Sequence, residues 1–448
     1  MSGYWPQPWT GEDGGPRRWG VAPGGLAIAA GERLEVVAVR DAFATDALVR
    51  RDPGELYALR HEMPVRAVHT TPVEAWVERL DPETLAVAAS SPRLAGGPFW
   101  PGGIAAHANG DIHAAFGRWI HRLDPGLEVR ASHRLPAPRP HNSFVVLAGG
   151  EIVIKDCDAP AGRAPATVSA LDPVGLEPLA EPLPLPEPCV ARLSADGEVV
   201  IAVGATTLFA LRLDRAAGRL ELDDVWRPSY GPAPGRSYGW DPVITDRCVL
   251  WMDQGRNRTD RTMLGSGTAP NPVRLWAADR ASGEVRSAEV SGLPFGTVSN
   301  PPGWDPDGRV VVAYDAGNAV VGAWRLDGID LAPLWRRDGI AHAGHLIVHP
   351  DTRELIAGDW RDVAALRSRS LRPLTRRVGQ LASRSARARR ASLRTGSDCL
   401  VVLDLDSGAE KARVAVPSPT QGFLFPAPGF DRDVYYQSLS TIARIAVA

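Results

Sequence analysis

VERLDPETLAVAAS, residues 77–90, places two alternating apolar runs on either side of a Leu-Asp-Pro turn, the pattern of a half-buried antiparallel hairpin. The phrase recurs as IHRLDPGLEVRAS (120–132), VSALDPVGLEPLAE (168–181), FALRLDRAAGRLELDD (209–224), LWAADRASGEVRSAE (275–289), AWRLDGIDLAPLW (323–335) and VVLDLDSGAEKARVA (401–415). Taking Asp81, Asp124, Asp172, Asp214, Asp279, Asp327 and Asp406 as the turn aspartates, the steps are 43, 48, 42, 65, 48 and 79 residues. A period of roughly 40–50 residues is that of propeller blades, each copy being an outer hairpin, with two steps lengthened by insertions.

Seven further hairpins lie between these copies, at 104–117, 144–156, 191–204, 241–255, 302–317, 346–360 and 423–439. Asn-Gly-Asp, Ala-Asp-Gly and Pro-Asp-Gly turns mark several of them as inner hairpins. The first outer hairpin (77–90) lacks an inner partner before it, and the last inner hairpin (423–439) lacks an outer partner after it. Joining the two gives an all-β, seven-bladed ring closed by N-terminal and C-terminal hairpins, without long exposed strand edges. Ile442 to Val447 reads as one strand too many, and Leu26 to Val39 as another pair, so an eight-bladed ring is the fallback. On this reading residues 1–64 are an extension packed on the propeller, and 65–448 form the propeller itself.

Composition narrows the function. A formal net charge of −2 gives no basis for whole-molecule attraction to nucleic acid. Lys155 and Lys411 are the only lysines among 50 basic residues, a bias expected of a GC-rich bacterial genome. Cys157, Cys189, Cys248 and Cys399 have no metal-ligand or disulfide spacing and read as thiols in a reducing cytoplasm. Arg17-Arg18 precedes an apolar stretch that Pro, Gly and Glu32 interrupt, so an export signal is not expected.

The connectors leading into the inner hairpins are long and rich in Trp, Tyr, Asn, His and Pro, which places the candidate site on their face, at the mouth of the channel. There His141, His345, Asp241 and Lys155 are the candidate catalytic groups, a histidine serving as acid or base and an aspartate orienting it. Asn142, Asp156, Arg192, Tyr238, Trp240, Asp253, Asn300, Asp315, Asn318 and His342 are the candidate substrate-binding groups. Asp156, Asp253, Asp315 and Asp359 each end a second strand. They could converge on one cation or bond the amides of their own turns. Imidazoles from several blades, His107 and His349 included, could hold a metal ion, or each could be a satisfied structural histidine. Segment 361–397 carries eleven arginines against one acid, Asp362, and reads as a basic insertion for a membrane surface or anionic partner, or as a solvated loop.

VVLDLDSGAEKARVAV and SADGEVVIAVGATTLFALRLD resemble blades of the quinoprotein-like and YVTN-type β-propellers, over nearly the whole chain from about residue 65. Dehydrogenases of that superfamily use pyrroloquinoline quinone, are exported, and carry eight blades with recurring tryptophan motifs. This chain has neither an adjacent Cys-Cys pair nor such a regular motif, so a quinone is not expected. The histidines resemble, more faintly, those of the seven-bladed carotenoid-cleaving oxygenases, which hold iron with four histidines. None of their longer motifs is present, and no residues carry over. The expected function is a small-molecule site at the channel mouth, in an enzyme of lyase, hydrolase or isomerase type. The alternative is a non-catalytic interaction scaffold.

Overall fold

The computed structural model describes residues 3–63, 71–158, 164–231, 239–253, 271–340, 344–361, 397–418 and 425–448. Tyr238, His342 and nearly all of the Arg-rich insertion lie outside these residues. The ends of that insertion meet, because Arg361 pairs directly with Ser397.

Eight antiparallel sheets, not seven, make up the ring. Blade 1 consists of Thr45–Arg50, Leu56–His61, Pro72–Leu80 and Val87–Ser90, with Leu94–Pro98 as an added strand on the third. Blades 2 to 7 begin with the inner strands Gly103–Ala106, His141–Val146, Ser194–Asp196, Val243–Ile244, Gly303–Asp305 and Leu346–His349. Blade 8 joins the two ends of the chain: Ala427–Pro428, Asp433–Gln437 and Thr441–Val447 come from the C-terminus, and Leu34–Asp41 pairs outside them.

The fourteen hairpins expected from sequence all fall within blades. The seven-blade count fails because the outer hairpin 77–90 pairs with an inner hairpin of its own, 45–61. The inner hairpin 423–439 takes Thr441–Val447 and the distant Leu34–Asp41 as its outer strands. Residues 34–61 therefore belong to the ring, and the boundary drawn at residue 64 has no structural counterpart. One turn residue also moves: in the blade 7 copy Asp404, rather than Asp406, accepts the Ser407 amide at 2.8 Å. Asp406 instead pairs with Arg353.

Residues 4–22 lie across the channel on the side of the inner-hairpin turns and touch every blade. Main-chain amides of Arg50, Ala106, Ala195, Ile244, Trp304 and Val348 donate to the carbonyls of Trp9, Thr10, Pro16, Arg17, Trp19 and Gly20, all at 2.7–3.1 Å. The Val146 amide donates to the Tyr4 hydroxyl at 3.2 Å, and Trp9 Nε1 donates to Pro426 O at 3.0 Å. Inner strands at a channel have unpaired edges, and this segment supplies the missing partners. Tyr4, Trp9, Ala22 and Leu26 are buried beneath it.

Candidate functional site

Arg192, Asp241 and His345 stand three positions before Ala195, Ile244 and Val348, the residues that bind the N-terminal segment. They therefore occupy one level of the channel, a turn nearer the mouth. Ser143 and Phe425 hold the matching places in blades 3 and 8, and Asp46 enters from blade 1. A short turn at Glu12–Gly14 raises Glu12 and Asp13 to this level from below, and Arg18 joins them. All of these groups are buried.

The charges are tightly interlocked. Arg18 binds Glu12 at 3.2 Å, Asp13 at 2.8 Å, the Ser143 hydroxyl at 2.9 Å and Leu193 O at 2.9 Å. Arg192 reaches Glu12 at 3.1 Å and Asp241 at 3.4 Å, while its own amide donates to Asp241 Oδ1 at 2.7 Å. Its guanidinium also lies 4.3 Å from the centre of the Phe425 ring, so it spans the channel from blade 4 to blade 8. The His345 ring also stands 4.2 Å from Phe425, centre to centre.

His345 Nδ1 and Asp13 Oδ1 are 3.0 Å apart. Burial works to raise the Asp13 carboxyl, but the His345 hydrogen bond and the two guanidiniums outweigh it and hold it at about 2. An ionised carboxylate only accepts, so Nδ1 must carry the ring proton. Burial keeps the His345 ring below its usual range and neutral, despite the pull of Asp13. The consequence is a buried Nε2 lone pair that has no partner among the described residues. Burial also raises the Glu12 carboxyl, against Arg192 and Arg18. It pushes Asp46 up to about 7, with Arg192 opposing and Glu12 assisting.

The other sequence candidates hold the frame. His141 accompanies the Gly117 carbonyl at 3.1 Å, and burial lowers its ring to about 3. Lys155 is wholly buried and donates to Asn142 Oδ1 at 2.9 Å and Cys189 O at 3.0 Å, while Asn142 donates to Val190 O. Blade 6 repeats the arrangement with a tyrosine: Asn300 and the Tyr314 hydroxyl both donate to Gly344 O. Lys155 and Asn142 thus clamp one blade to the lead-in of the next. The strand-ending aspartates do not converge. Asp156 pairs with Arg139 and accepts the Thr167 amide, and Asp253 accepts from Trp276. Asp315 accepts from Thr297, Ser291 and Asn318, and Asp359 pairs with Arg413. Trp240 packs in the core with Val243 and Trp304. His107 bonds Gly150 O and His349 bonds Ala22 O, and no group of three or more potential metal ligands occurs among the described residues. Of the sequence candidates, Arg192, Asp241 and His345 lie in this buried cluster; Glu12, Asp13, Arg18 and Asp46, which share it, were not among the candidates.

No protein-family model matches the chain, and no curated protein matches it. Solved structures do. A quinohemoprotein alcohol dehydrogenase from Comamonas testosteroni aligns over 99% of this chain and 81% of its own, with TM-score 0.63 and 10% identity. The enzyme ADHIIG of Pseudomonas putida HK5 aligns over 99% and 80%, with TM-score 0.60 and 10% identity. A europium-containing methanol dehydrogenase aligns over 96% and 89%, with TM-score 0.57 and 9% identity. The eight-bladed fold resembles that of these dehydrogenases. At such identity the likeness extends to the fold alone. In this channel both central guanidiniums are engaged by Glu12, Asp13 and Asp241, so three carboxyl groups face two cations and neither guanidinium is left for an anionic quinone.

Proposed function

We propose that this propeller binds an uncharged, hydroxyl-bearing small molecule at the centre of its channel and moves a proton on it, with His345 as base and Asp13 as the residue that orients the base. The observation that carries the reading is the buried His345 Nε2 lone pair, unpartnered among the described residues, at the end of an Asp13–His345 hydrogen bond. A carboxylate on Nδ1 fixes the tautomer and stabilises the imidazolium that forms when Nε2 takes a proton. The ligand is taken to be uncharged because Arg18 and Arg192 are already matched by carboxylates of the chain. An anion would add to the carboxylate side, and a buried charge without a partner is costly. A hydroxyl is the donor that a bare imidazole nitrogen accepts, and the Phe425 ring supplies an apolar wall beside it.

A calorimetric screen of uncharged alcohols, polyols and cyclic sugars tests the reading on wild type and H345Q. At least one compound is expected to bind wild type and to lose about tenfold or more in affinity in H345Q, equivalent to roughly 1.4 kcal/mol. If none binds, or if H345Q binds equally well, the site is not here and the scaffold alternative gains.

A further inference from the structure

The reading above supplies a base but no acid. We infer that Asp46 is the proton-donating partner of His345 across the Phe425 ring. This rests on the proposed site and deepens it.

The placement follows from the ring. Asp46 comes from blade 1 and His345 from blade 7, so the two flank the Phe425 position of blade 8. The carboxyl of Asp46 is buried, and its described partner is a single main-chain donor, the Gly102 amide at 2.5 Å. Its neighbours are bound quite differently. Glu12, Asp13 and Asp241 each pair with arginine, and so do the buried Asp156, Asp305 and Asp433 of the outer frame. Asp315, without an arginine, collects donors from Thr297, Ser291, Gly317 and Asn318. Among the described residues Asp46 makes no ion pair. A carboxyl taken from water with one donor and no counter-charge keeps its proton more easily than one in water. The upward displacement to about 7, caused first by burial and then by Glu12 against Arg192, agrees with that geometry.

The step balances without an external oxidant. His345 Nε2 takes a proton from the ligand, and the electron pair of the broken bond stays on the ligand. Asp46 gives its own proton to a second ligand atom. The ligand leaves with as many hydrogens as it brought, rearranged, and the site resets when His345 loses a proton to solvent and Asp46 regains one. The chemical class is therefore a proton-neutral rearrangement of an uncharged hydroxyl compound. A structural role for Asp46 is served equally by asparagine, whose side-chain oxygen also accepts the Gly102 amide.

That equivalence makes D46N the discriminating variant. Infrared difference spectra of full-length wild type, D46N and H345Q, titrated from about pH 5 to about pH 9 without ligand, should show a protonated-carboxyl band that disappears near neutrality in wild type and H345Q. The band should be absent from D46N, and any compound found in the screen should bind D46N within about threefold of wild type while its turnover falls about 10²-fold or more. An unchanged band in D46N, or no titrating band in wild type, overturns the inference even if H345Q abolishes binding. Full binding by H345Q beside a D46N-sensitive band removes the site and leaves the Asp46 proton standing. Should D46N fail to fold, ¹³C-carboxyl NMR of aspartate-labelled wild type decides: one aspartate carbon must titrate near neutrality, and none doing so overturns it.

Discussion

A buried polar side chain gains its meaning from what completes its hydrogen bonds. Lys155 and His345 are both buried, yet their partners differ: Lys155 ends on two neutral oxygens that tie adjacent blades, whereas His345 Nε2 has no partner among the described residues. The recurrence of the Asn142–Lys155 clamp as Asn300–Tyr314 in blade 6 marks the first as architecture. Replacing Lys155 by methionine leaves Asn142 Oδ1 and Cys189 O without their donor, which costs about 1–3 kcal/mol. K155M should therefore lower the urea midpoint while leaving ligand affinity in the calorimetric screen unchanged. Lost affinity at an unchanged midpoint would return Lys155 to the site. Residue identity alone could not separate these roles, because a lone lysine or histidine carries no record of its partner. His345, Arg192 and Asp241 were legible because the blade repeat places their connectors at the channel. Asp13, Glu12 and Arg18 were not, because nothing periodic connects the first twenty residues to the ring.

At the scale of elements, the N-terminal segment is both structural part and site wall. It meets one inner strand or lead-in from each blade, and the carboxylate that orients His345 rides on it. Trp9 is its main anchor, 2% exposed, with its indole nitrogen bonded to Pro426 O and its main chain at φ 66°. Truncating a buried aromatic to alanine costs about 3–5 kcal/mol. W9A should show that loss in equilibrium denaturation, together with weaker ligand binding as Asp13 loses its seat. A loss below about 1 kcal/mol would mean that the segment does not seat on the channel. The sequence pattern revealed fourteen hairpins with compact turns, and it faltered where closure is non-local. The strands Leu34–Asp41 and Thr441–Val447 pair directly although nearly the whole chain separates them, so no turn residue announces their partnership. The Asp52-Pro53-Gly54 turn of the hairpin 45–61 was passed over with the residues assigned to an extension.

Across the whole molecule, the packed blades bury histidines whose protonation folding disfavours. Burial is the leading cause in each case: His61 falls to about 4, and His113 and His141 to about 3. In the unfolded chain the same rings titrate near 6.5. The unfolded state therefore binds more protons as the pH drops below that value, and stability falls with it. Between pH 7 and pH 5 each ring costs about 2 kcal/mol, together roughly 6. Asp46 acts in the opposite sense, since its folded value of about 7 exceeds the unfolded 3.8. The folded state keeps a proton there that the unfolded state releases, which returns about 2 kcal/mol over the same interval. Asp13, held at about 2, changes nothing until the pH falls below the ordinary carboxylate range. For these four groups together the loss is about 4 kcal/mol from pH 7 to pH 5. His121, His345 and His349, also lowered first by burial, add to it in the same sense, and H113Q gives a shallower slope because one ring no longer titrates. Urea unfolding at both pH values measures it. Stability that is flat or rising on acidification would show that these rings are not sealed by the closed ring.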